Sequence, residues 1–328
     1  MKRSHHGEEV ASRPSRDSPS HSSSSVATAS SSSTPMQLTG TSLLTPLPRR
    51  HPKKYKPSPL TSVQKAIAEI EIASHLGLEK VLSDCIFVGF ADDSFILIQQ
   101  STKLYACNLL TLAQELMFQQ TYLRFQNFDR LVLKPAIPIR DMLAAALESP
   151  AAREEARKER SQLPSLEYCV KFFMDGDSGT MKREMLHEYW SIIINDDGCL
   201  ETLPQVIENY IPDMSRLPIF LYSLVINVDW QNEGECFEGV ARRISEFYGP
   251  QPPILPPPQH VPDSGSSSTT SGTQSSSQDR HQTYEWTLQF RILPAVKQLL
   301  YPPKSFGQDG TFVQVASLEN LYKVFERC

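Results

Sequence analysis

Three apolar segments follow one another closely and are separated only by short turns. Cys85 to Phe90 is a continuous apolar run, and Asp92-Asp93 forms a turn before the second segment, Ser94 to Gln100. A turn at Ser101-Thr102 leads to the third segment, Leu104 to Cys107. Because connections this short join antiparallel strands, the sequence predicts an antiparallel meander, and this feature limits the fold more than any other.

Helical periodicity precedes and follows the meander. Thr61 and Gln64 have the spacing of a capping box, which predicts a first helix with Thr61 at its N-cap. Leu109 to Phe125 carries an apolar stripe that predicts a second helix. Further helices are predicted over residues 139–147, 166–173, 181–189, 218–228, 237–247 and 284–300, and short strands over 131–133, 190–194, 199–203 and 312–315. This mixture of helices with antiparallel strands predicts an α/β (α+β) fold.

Two helical regions carry an interruption. Asp175 to Gly179 separates the predicted helices 166–173 and 181–189. Pro294 lies inside the last predicted helix and cannot donate a backbone hydrogen bond, so we expect a kink there.

Two polar segments cannot build a core. Residues 1–58 contain serine runs at 22–25 and 30–33, and residues 250–282 are rich first in proline and then in serine. Their ordering entropy would not be offset by burial, so both are predicted to be disordered. The remaining chain, roughly 240 residues, has the size of one large domain or two subdomains.

The N-terminal arm contains a short basic cluster of Arg49, Arg50, Lys53, Lys54 and Lys56. The net charge of the chain is -5, so there is no argument for nucleic-acid binding by the chain as a whole. A basic cluster on a flexible arm is typical of a nuclear-import signal or of a loose phosphate contact, which predicts a nuclear protein with weak or indirect DNA binding. A solvated charge run is the alternative.

Composition bounds the class of protein. No apolar run approaches the roughly 20 residues of a membrane span, and no apolar segment of a secretory signal is visible at the N-terminus. The 6 cysteines are scattered without a Cys-x-x-Cys pair. We therefore expect an intracellular protein with reduced thiols, most of them buried as small apolar side chains.

Candidate catalytic and metal-binding motifs are incomplete. Asp175 to Gly179 resembles the start of a calcium loop, but Leu186 stands where the bidentate glutamate is needed. His187-Glu188 resembles the start of a zinc-protease motif, but Ser191 stands in place of the second histidine. There is no glycine-rich phosphate loop. The sequence predicts no self-sufficient active site and no cofactor of its own.

The C-terminal residues are unusually apolar for a chain end. Tyr322, Val324 and Phe325 precede a final cysteine, Cys328. Exposing these three side chains would be costly, so we expect them to dock on a protein surface and to hold the Cys328 thiol at a fixed place. A packed C-terminal strand with an inert thiol is the alternative.

The last residues, Tyr322 to Cys328, resemble the end of the MutL-homologue family of DNA mismatch-repair proteins, and more narrowly the common subunit of the eukaryotic MutL heterodimers. The resemblance extends over residues 60–328, and its other motifs occur in the family's order. They are Phe87–Gly89, Gln100–Tyr105, Asn127-Phe128, Leu147–Pro150, Asn209–Pro212, Leu217–Phe220, Glu235–Glu238 and Pro302–Lys304.

The resemblance implies a MutL-type C-terminal dimerisation domain over residues 59–328. Its dimerisation part would comprise about 59–140 and 283–328, with a helical outer subdomain at about 141–249 and the disordered insertion at 250–282. The family's N-terminal ATPase domain is absent from this sequence. We expect either a fragment, an incomplete gene product or a function split between chains.

The resemblance also implies a function. Nuclease-bearing MutL subunits carry an Asp-Gln-His-Ala-x-x-Glu motif and a Cys-Pro-His-Gly-Arg-Pro-like motif, and this chain has neither. It therefore resembles the non-nucleolytic scaffold subunit, whose last cysteine reaches the partner's zinc site, and Cys328 matches that position. The implied partner is a MutL subunit of the post-meiotic-segregation type, with exonucleases and MutS-type proteins as further candidates.

Two alternatives remain open from the residues alone. One is a plain protein-interaction domain with an inert tail, which differs from the scaffold subunit only in the role of Cys328. The other is a homodimeric metal-dependent nuclease, which the scattered cysteine and histidine positions disfavour.

Overall fold

The computed structural model describes the backbone of residues 55–150, 152–154, 162–253 and 271–319, and the side chains of these residues other than 271–278. The helices are α1 (Thr61–Ala73), α2 (Leu76–Asp84), α3 (Leu109–Leu123), α4 (Ile139–Glu148), α5 (Leu166–Met174), α6 (Gly176–Trp190), α7 (Leu217–Ile226), α8 (Glu233–Tyr248), α9 (Ser271–Thr287) and α10 (Leu293–Leu299). The strands are β1 (Ile86–Phe90), β2 (Phe95–Gln100), β3 (Lys103–Asn108), β4 (Arg130–Pro138), β5 (Ile193–Ile194), β6 (Cys199–Pro204) and β7 (Phe312–Ser317).

The predicted meander is confirmed as part of a four-stranded sheet. Its order is β1-β2-β3-β7, and all neighbours are antiparallel. Asp92 forms the first turn, where its Oδ1 accepts hydrogen bonds from the backbone N–H groups of Ser94 (2.7 Å) and Phe95 (2.7 Å). The strand predicted over 312–315 is confirmed as β7, which is far from β3 in the sequence and pairs with it.

Helices cover one face of this sheet. A row of paired residues from β2, β3 and β7 (Ile96, Cys107 and Phe312) is buried on that face. The predicted helix after the meander is α3, which begins where Asn108 Oδ1 accepts a hydrogen bond from the N–H of Thr111 at 3.1 Å. α3 contacts β2, α1 and α10, so the helical layer joins the two ends of the described chain.

The capping box predicted at the start of α1 is wrong. Leu60 is the N-cap and makes no side-chain capping bond, while Thr61 is the first helical residue. The Gln64 side chain instead donates to the carbonyl of Ser58 at 2.9 Å. The Gln64 amide therefore binds the chain that precedes α1 and does not cap the helix.

The second sheet is three-stranded, with the antiparallel order β4-β6-β5. The short strand predicted over 131–133 is longer, because β4 continues through a cis peptide at Lys134-Pro135 with an irregular register between Val132 and Ile137. The predicted strand over 190–194 is shorter, because Trp190 ends α6 and only Ile193–Ile194 pairs.

The loop predicted between α5 and α6 is almost absent. The two helices are separated by the single residue Asp175, and α6 begins at Gly176 rather than at Met181. Gly179 makes this junction possible, because a Cβ there would lie 2.8 Å from the carbonyl oxygen of Phe173. Gly179, which suggests a loop in the sequence, therefore serves a close helix–helix approach, and Gly176 supplies the positive φ of +58° at the start of α6.

We expect Gly179→Ala to lower the free energy of unfolding by about 1–3 kcal/mol, because the new methyl group would overlap rigid backbone. Gly234→Ala is the matched control, since Gly234 is also helical and a Cβ there would meet nothing within 4 Å. The control should leave stability unchanged or raise it by up to about 1 kcal/mol. Urea unfolding followed by circular dichroism measures both, and equal effects would contradict the packing explanation.

The predicted C-terminal helix is confirmed, but it starts earlier. α9 begins at Ser271, inside the segment 250–282 that was predicted to be disordered, so that prediction is wrong for residues 271–282. The described side chains show what anchors it: Tyr284 donates to the carbonyl of Asp93 (2.7 Å), and His281 Nε2 lies 2.8 Å from the Asp93 carboxylate. These contacts are made between distant residues and leave no local sequence signal.

The interruption predicted at Pro294 takes the form of a π-helical segment, Leu288–Ile292, between α9 and α10. Proline cannot donate to the preceding turn, and the wider π turn accommodates its ring. Leu288, Ile292 and Val296 remain on the buried face. Apolar packing therefore continues through the irregular turn.

Glu115 of α3 is a partly buried carboxyl group that gives the free energy of unfolding a pH dependence. Burial raises its pKa above the ordinary value of 4.5, against the opposing effects of a hydrogen bond from Gln119 and the charge of Arg242. The folded protein therefore favours the protonated, neutral form of Glu115. The stability that this form contributes is fully present below pH 4.5 and is lost as pH rises through the folded-state pKa.

Glu115→Gln should accordingly raise the free energy of unfolding at pH 7 and have little effect near pH 4. The amide oxygen of glutamine can still accept the 2.8 Å bond from Gln119 Nε2, so the substitution removes mainly the buried charge. Urea titrations of both proteins at the two pH values measure the difference. The same difference at both pH values would contradict the assignment to ionisation.

Candidate functional site

The second face of the four-stranded sheet is apolar and accessible to solvent. We call it the outer sheet face and define it by Ile86 and Val88 of β1, Leu97 of β2, Ala106 of β3, and Val313 and Val315 of β7. The strand register supports this assignment, because Leu97 pairs with Ala106 and Ala106 with Val313, a row that alternates with the buried row on the helical side.

The side chains on the two edge strands are the most exposed. Ile86 is 67% exposed, Val88 52%, Val313 43% and Val315 54%. The strand register is irregular at Val88 of β1 and at Val315 of β7, where each strand has one residue more than its neighbour. Both of these extra residues are exposed on the outer face. Soluble proteins rarely leave a connected apolar sheet face in water, and such a face is typical of a protein interface.

The C-terminal tail leaves the sheet at a defined place. Ser317 pairs with Lys103, and the N–H of Leu318 donates to the carbonyl of Thr102 at 2.9 Å. Thr102 Oγ1 also donates to Glu319 at 3.3 Å. The chain therefore passes the β2–β3 turn immediately before the predicted docking residues. Tyr322, Val324, Phe325 and Cys328 lie outside the described residues.

The basic cluster is described only at Lys56. Its backbone N–H and carbonyl both bond to the side chain of Asn127, at 3.2 Å and 3.0 Å, and its side chain is exposed. Arg49, Arg50, Lys53 and Lys54 lie outside the described residues. The arm is thus fixed to the domain at Lys56, and the role of the cluster remains a prediction.

Five cysteines lie within the described residues, and 4 of them (Cys85, Cys107, Cys169 and Cys236) are buried as predicted. Burial raises the pKa of Cys236 to about 11 and also raises the pKa of Cys85, Cys107 and Cys169. These thiols are protonated at neutral pH, whereas a thiolate is the metal-binding form.

The incomplete motifs do not assemble into a site. Residues 175–179 belong mainly to the start of α6, and His187 Nε2 lies 3.1 Å from Arg130 Nη2. Among the described residues, no three His, Cys, Asp or Glu side chains are grouped so that they could hold a metal ion. Over the same ranges, no helix is both long and apolar enough to span a bilayer.

The outer sheet face was not identified from sequence, although a signal was present. Cys85 to Phe90 is apolar at successive positions, whereas a sheet with one face in water shows alternation. A continuous apolar run indicates that both faces become covered. Only the placement of β7 beside β3 extends the apolar outer sheet face across four strands.

Comparison with known proteins gives a consistent assignment. The family described as "DNA mismatch repair protein Mlh1 C-terminus" matches residues 59–328. The DNA mismatch repair protein Mlh1 of Dictyostelium discoideum is 35% identical over 296 residues, which cover 85% of this chain and 31% of that protein. The DNA mismatch repair protein MLH1 of Saccharomyces cerevisiae is 28% identical over 291 residues, which cover 85% of this chain and 35% of that protein.

The chain thus spans about a third of the length of these relatives. The family match covers both described sheets and every described helix. The resemblance seen in the sequence is therefore confirmed, and the chain belongs to the Mlh1 C-terminal family of MutL-homologue DNA mismatch-repair proteins.

Proposed function

We propose that this chain is the non-nucleolytic scaffold subunit of a MutL-type mismatch-repair heterodimer, and that the outer sheet face is its dimerisation surface. The observation that carries the proposal is the exposure of aliphatic side chains on both edge strands of the sheet, Ile86 and Val88 of β1 and Val313 and Val315 of β7. The partner is a nuclease-bearing MutL subunit of the post-meiotic-segregation type.

Burial of apolar surface supplies the driving force for this association. Removing apolar area from water contributes about 25 cal/mol per Å², and interface cores are depleted in charged residues. The described outer sheet face has aliphatic side chains on all four strands. A hydrogen-bonded sheet also loses little conformational entropy on binding, because its backbone is already ordered.

Cys328 would act in the partner's metal site. The described chain passes the β2–β3 turn at Leu318, at one end of the proposed interface. Docking of Tyr322, Val324 and Phe325 would position the terminal thiol, and a Cys thiolate is a preferred zinc ligand. The zinc would belong to the partner's nuclease site, and this chain would hold no cofactor of its own.

Further partners and the location in the cell follow from the same assignment. Exonucleases and MutS-type mismatch-recognition proteins are candidate additional partners, and DNA contact would be weak or indirect. The basic residues Arg49, Arg50, Lys53, Lys54 and Lys56 would serve nuclear import or a loose phosphate contact. The proposed location is the nucleus.

The test is to produce the 328-residue chain alone and together with a nuclease-bearing MutL subunit, and to measure masses by sedimentation velocity. The expected result is a stable one-to-one complex that replaces both separate species. A chain that forms homodimers and ignores the partner would favour the homodimeric nuclease. A complex that forms without any contribution of Cys328 to zinc binding would favour the plain interaction domain.

A further inference from the structure

The turn between β2 and β3 is a short and well-anchored connection. Gln100 pairs with Lys103, so only Ser101 and Thr102 lie between the paired residues of the two strands. Ser101 has a positive φ of +54°, the left-handed conformation that is common in tight hairpin turns. The side-chain amide of Gln99 donates to the carbonyl of Ser101 at 3.0 Å. Thr102 is therefore held in place by the sheet and not by the tail.

Thr102 binds the chain that follows β7 with both its backbone and its side chain. Its carbonyl accepts a hydrogen bond from the N–H of Leu318 at 2.9 Å, and its Oγ1 donates to Glu319 Oε1 at 3.3 Å. Ser317, the last residue of β7, pairs with Lys103 and is buried. Three consecutive residues are thus attached at one turn, which fixes the direction of the chain as well as its position.

Apolar packing does little to hold this part of the chain. Leu318 is 45% exposed, and Glu319 is also exposed. Over the described residues, the hydrogen bonds that join Leu318 and Glu319 to the sheet are those to Thr102. The Thr102 hydroxyl is therefore the group that holds the Glu319 side chain against the turn.

The direction of the chain at Glu319 affects every residue beyond it. Cys328 follows Glu319 by nine positions, and nine residues reach at most about 30 Å. A tether that is fixed in position but free in direction can place its far end anywhere within that radius. Fixing the direction of its first residues removes part of this volume, which raises the effective concentration of the tail on the favoured side.

We propose that Thr102 is a positioning residue for the C-terminal tail: its hydroxyl holds Glu319 so that Tyr322, Val324 and Phe325 leave the sheet toward the bound partner. The proposal rests on the proposed function, in which these three residues dock on the nuclease-bearing subunit. It adds that the tail is aimed before the two chains meet, so that less conformational entropy is lost on binding. A Thr102 that only closes the β2–β3 turn is the alternative.

Two substitutions of Thr102 separate these roles. Thr102→Val keeps the branched shape of the side chain and removes the hydroxyl, while the backbone bond to Leu318 can still form. Thr102→Ser keeps the hydroxyl and should retain the bond to Glu319. Thr180→Val is the control, because Thr180 is an exposed threonine whose hydroxyl bonds within α6. Thermal unfolding establishes that each variant is folded.

Isothermal titration calorimetry with the purified nuclease-bearing subunit measures the effect on the full 328-residue chain. Thr102→Val should weaken the complex about 5-fold, the scale of one net hydrogen bond. Thr102→Ser and Thr180→Val should bind within about 2-fold of wild type, as surface substitutions that break no such contact do. Glu319→Ala should match Thr102→Val, and the two together should cost no more than either alone, because both break the same bond.

The same substitution in a chain that lacks 322–328 distinguishes positioning from a general effect on the sheet. Thr102→Val should have no effect there, because the residues that it positions are gone. An equal loss of affinity with and without 322–328 would assign Thr102 to the turn alone and overturn the proposal.

The two levels of the argument fail in different ways. If deletion of 322–328 weakens the complex but Thr102→Val binds like wild type, the positioning role is overturned and the proposed function stands. If the deletion has no effect on affinity, the proposed docking of the tail is wrong, and the role of Thr102 is overturned with it.

Discussion

The double substitution Val88→Asp/Val313→Asp is expected to weaken the complex with a nuclease-bearing MutL subunit by at least about 100-fold. These residues lie on the two edge strands of the outer sheet face, and each would place a carboxylate in an apolar interface. Burying an unpaired charge costs several kcal/mol, and every 1.4 kcal/mol is tenfold in affinity. Isothermal titration calorimetry with the purified partner measures the change.

The matched control is Met181→Asp/Ile211→Asp. Met181 and Ile211 are 67% and 62% exposed and lie outside the four-stranded sheet, so the control adds the same charge to apolar surface elsewhere. It should leave affinity unchanged. Both double variants should melt close to the wild-type temperature, because the altered side chains are already solvent-accessible. Equal affinity of the two double variants for the partner would show that the outer sheet face is not the dimerisation surface.

Cys328→Ser is expected to leave the heterodimer intact and to lower both its zinc content and its nicking activity. A serine hydroxyl stays protonated at neutral pH and does not replace a thiolate as a zinc ligand. We expect nicking of supercoiled DNA by the purified complex to fall at least about 10-fold, the scale on which loss of groups around a metal site lowers activity. Metal analysis of the same samples gives the zinc content.

Two further variants separate docking from metal binding. Phe325→Ala and deletion of 322–328 should weaken dimerisation itself, because they remove apolar anchors. Cys199→Ser is the control for loss of a thiol, since Cys199 is half-buried in the three-stranded sheet. If zinc and nicking are the same in wild type and Cys328→Ser, the tail is a docking segment only.

Most helices and strands of the described chain were predictable from local patterns. The meander, α3 and α8 depend on apolar spacing and turn residues that act within a few positions of one another. The errors occur where a contact that the sequence pattern does not show overrides the local preference. Gly179 looks like a loop residue until the backbone of Phe173 is placed beside it. The C-terminal half of α9 is held by contacts of His281 and Tyr284 with Asp93, in the turn between β1 and β2.

The candidate site was predictable only in part. The tail residues Tyr322 to Cys328 carry a specific family motif and pointed to the family from sequence alone. The outer sheet face has no comparable motif, because it is assembled from four strands separated by up to about two hundred residues of chain. A single valine in a sequence does not indicate an exposed surface. The valines of β1 and β7 lie on one apolar face only because β7 pairs with β3.

The sequence by itself determined the α/β class, the order of most helices and strands, and the family, because periodicity, turn chemistry and short motifs act locally. Only the tertiary structure decided which face of the meander is covered and where the tail departs from the sheet. It also decided that Thr102, in the β2–β3 turn, holds Leu318 and Glu319. These features arise from contacts between residues far apart in the chain, and the free energy of such contacts depends on burial that no local window of sequence contains.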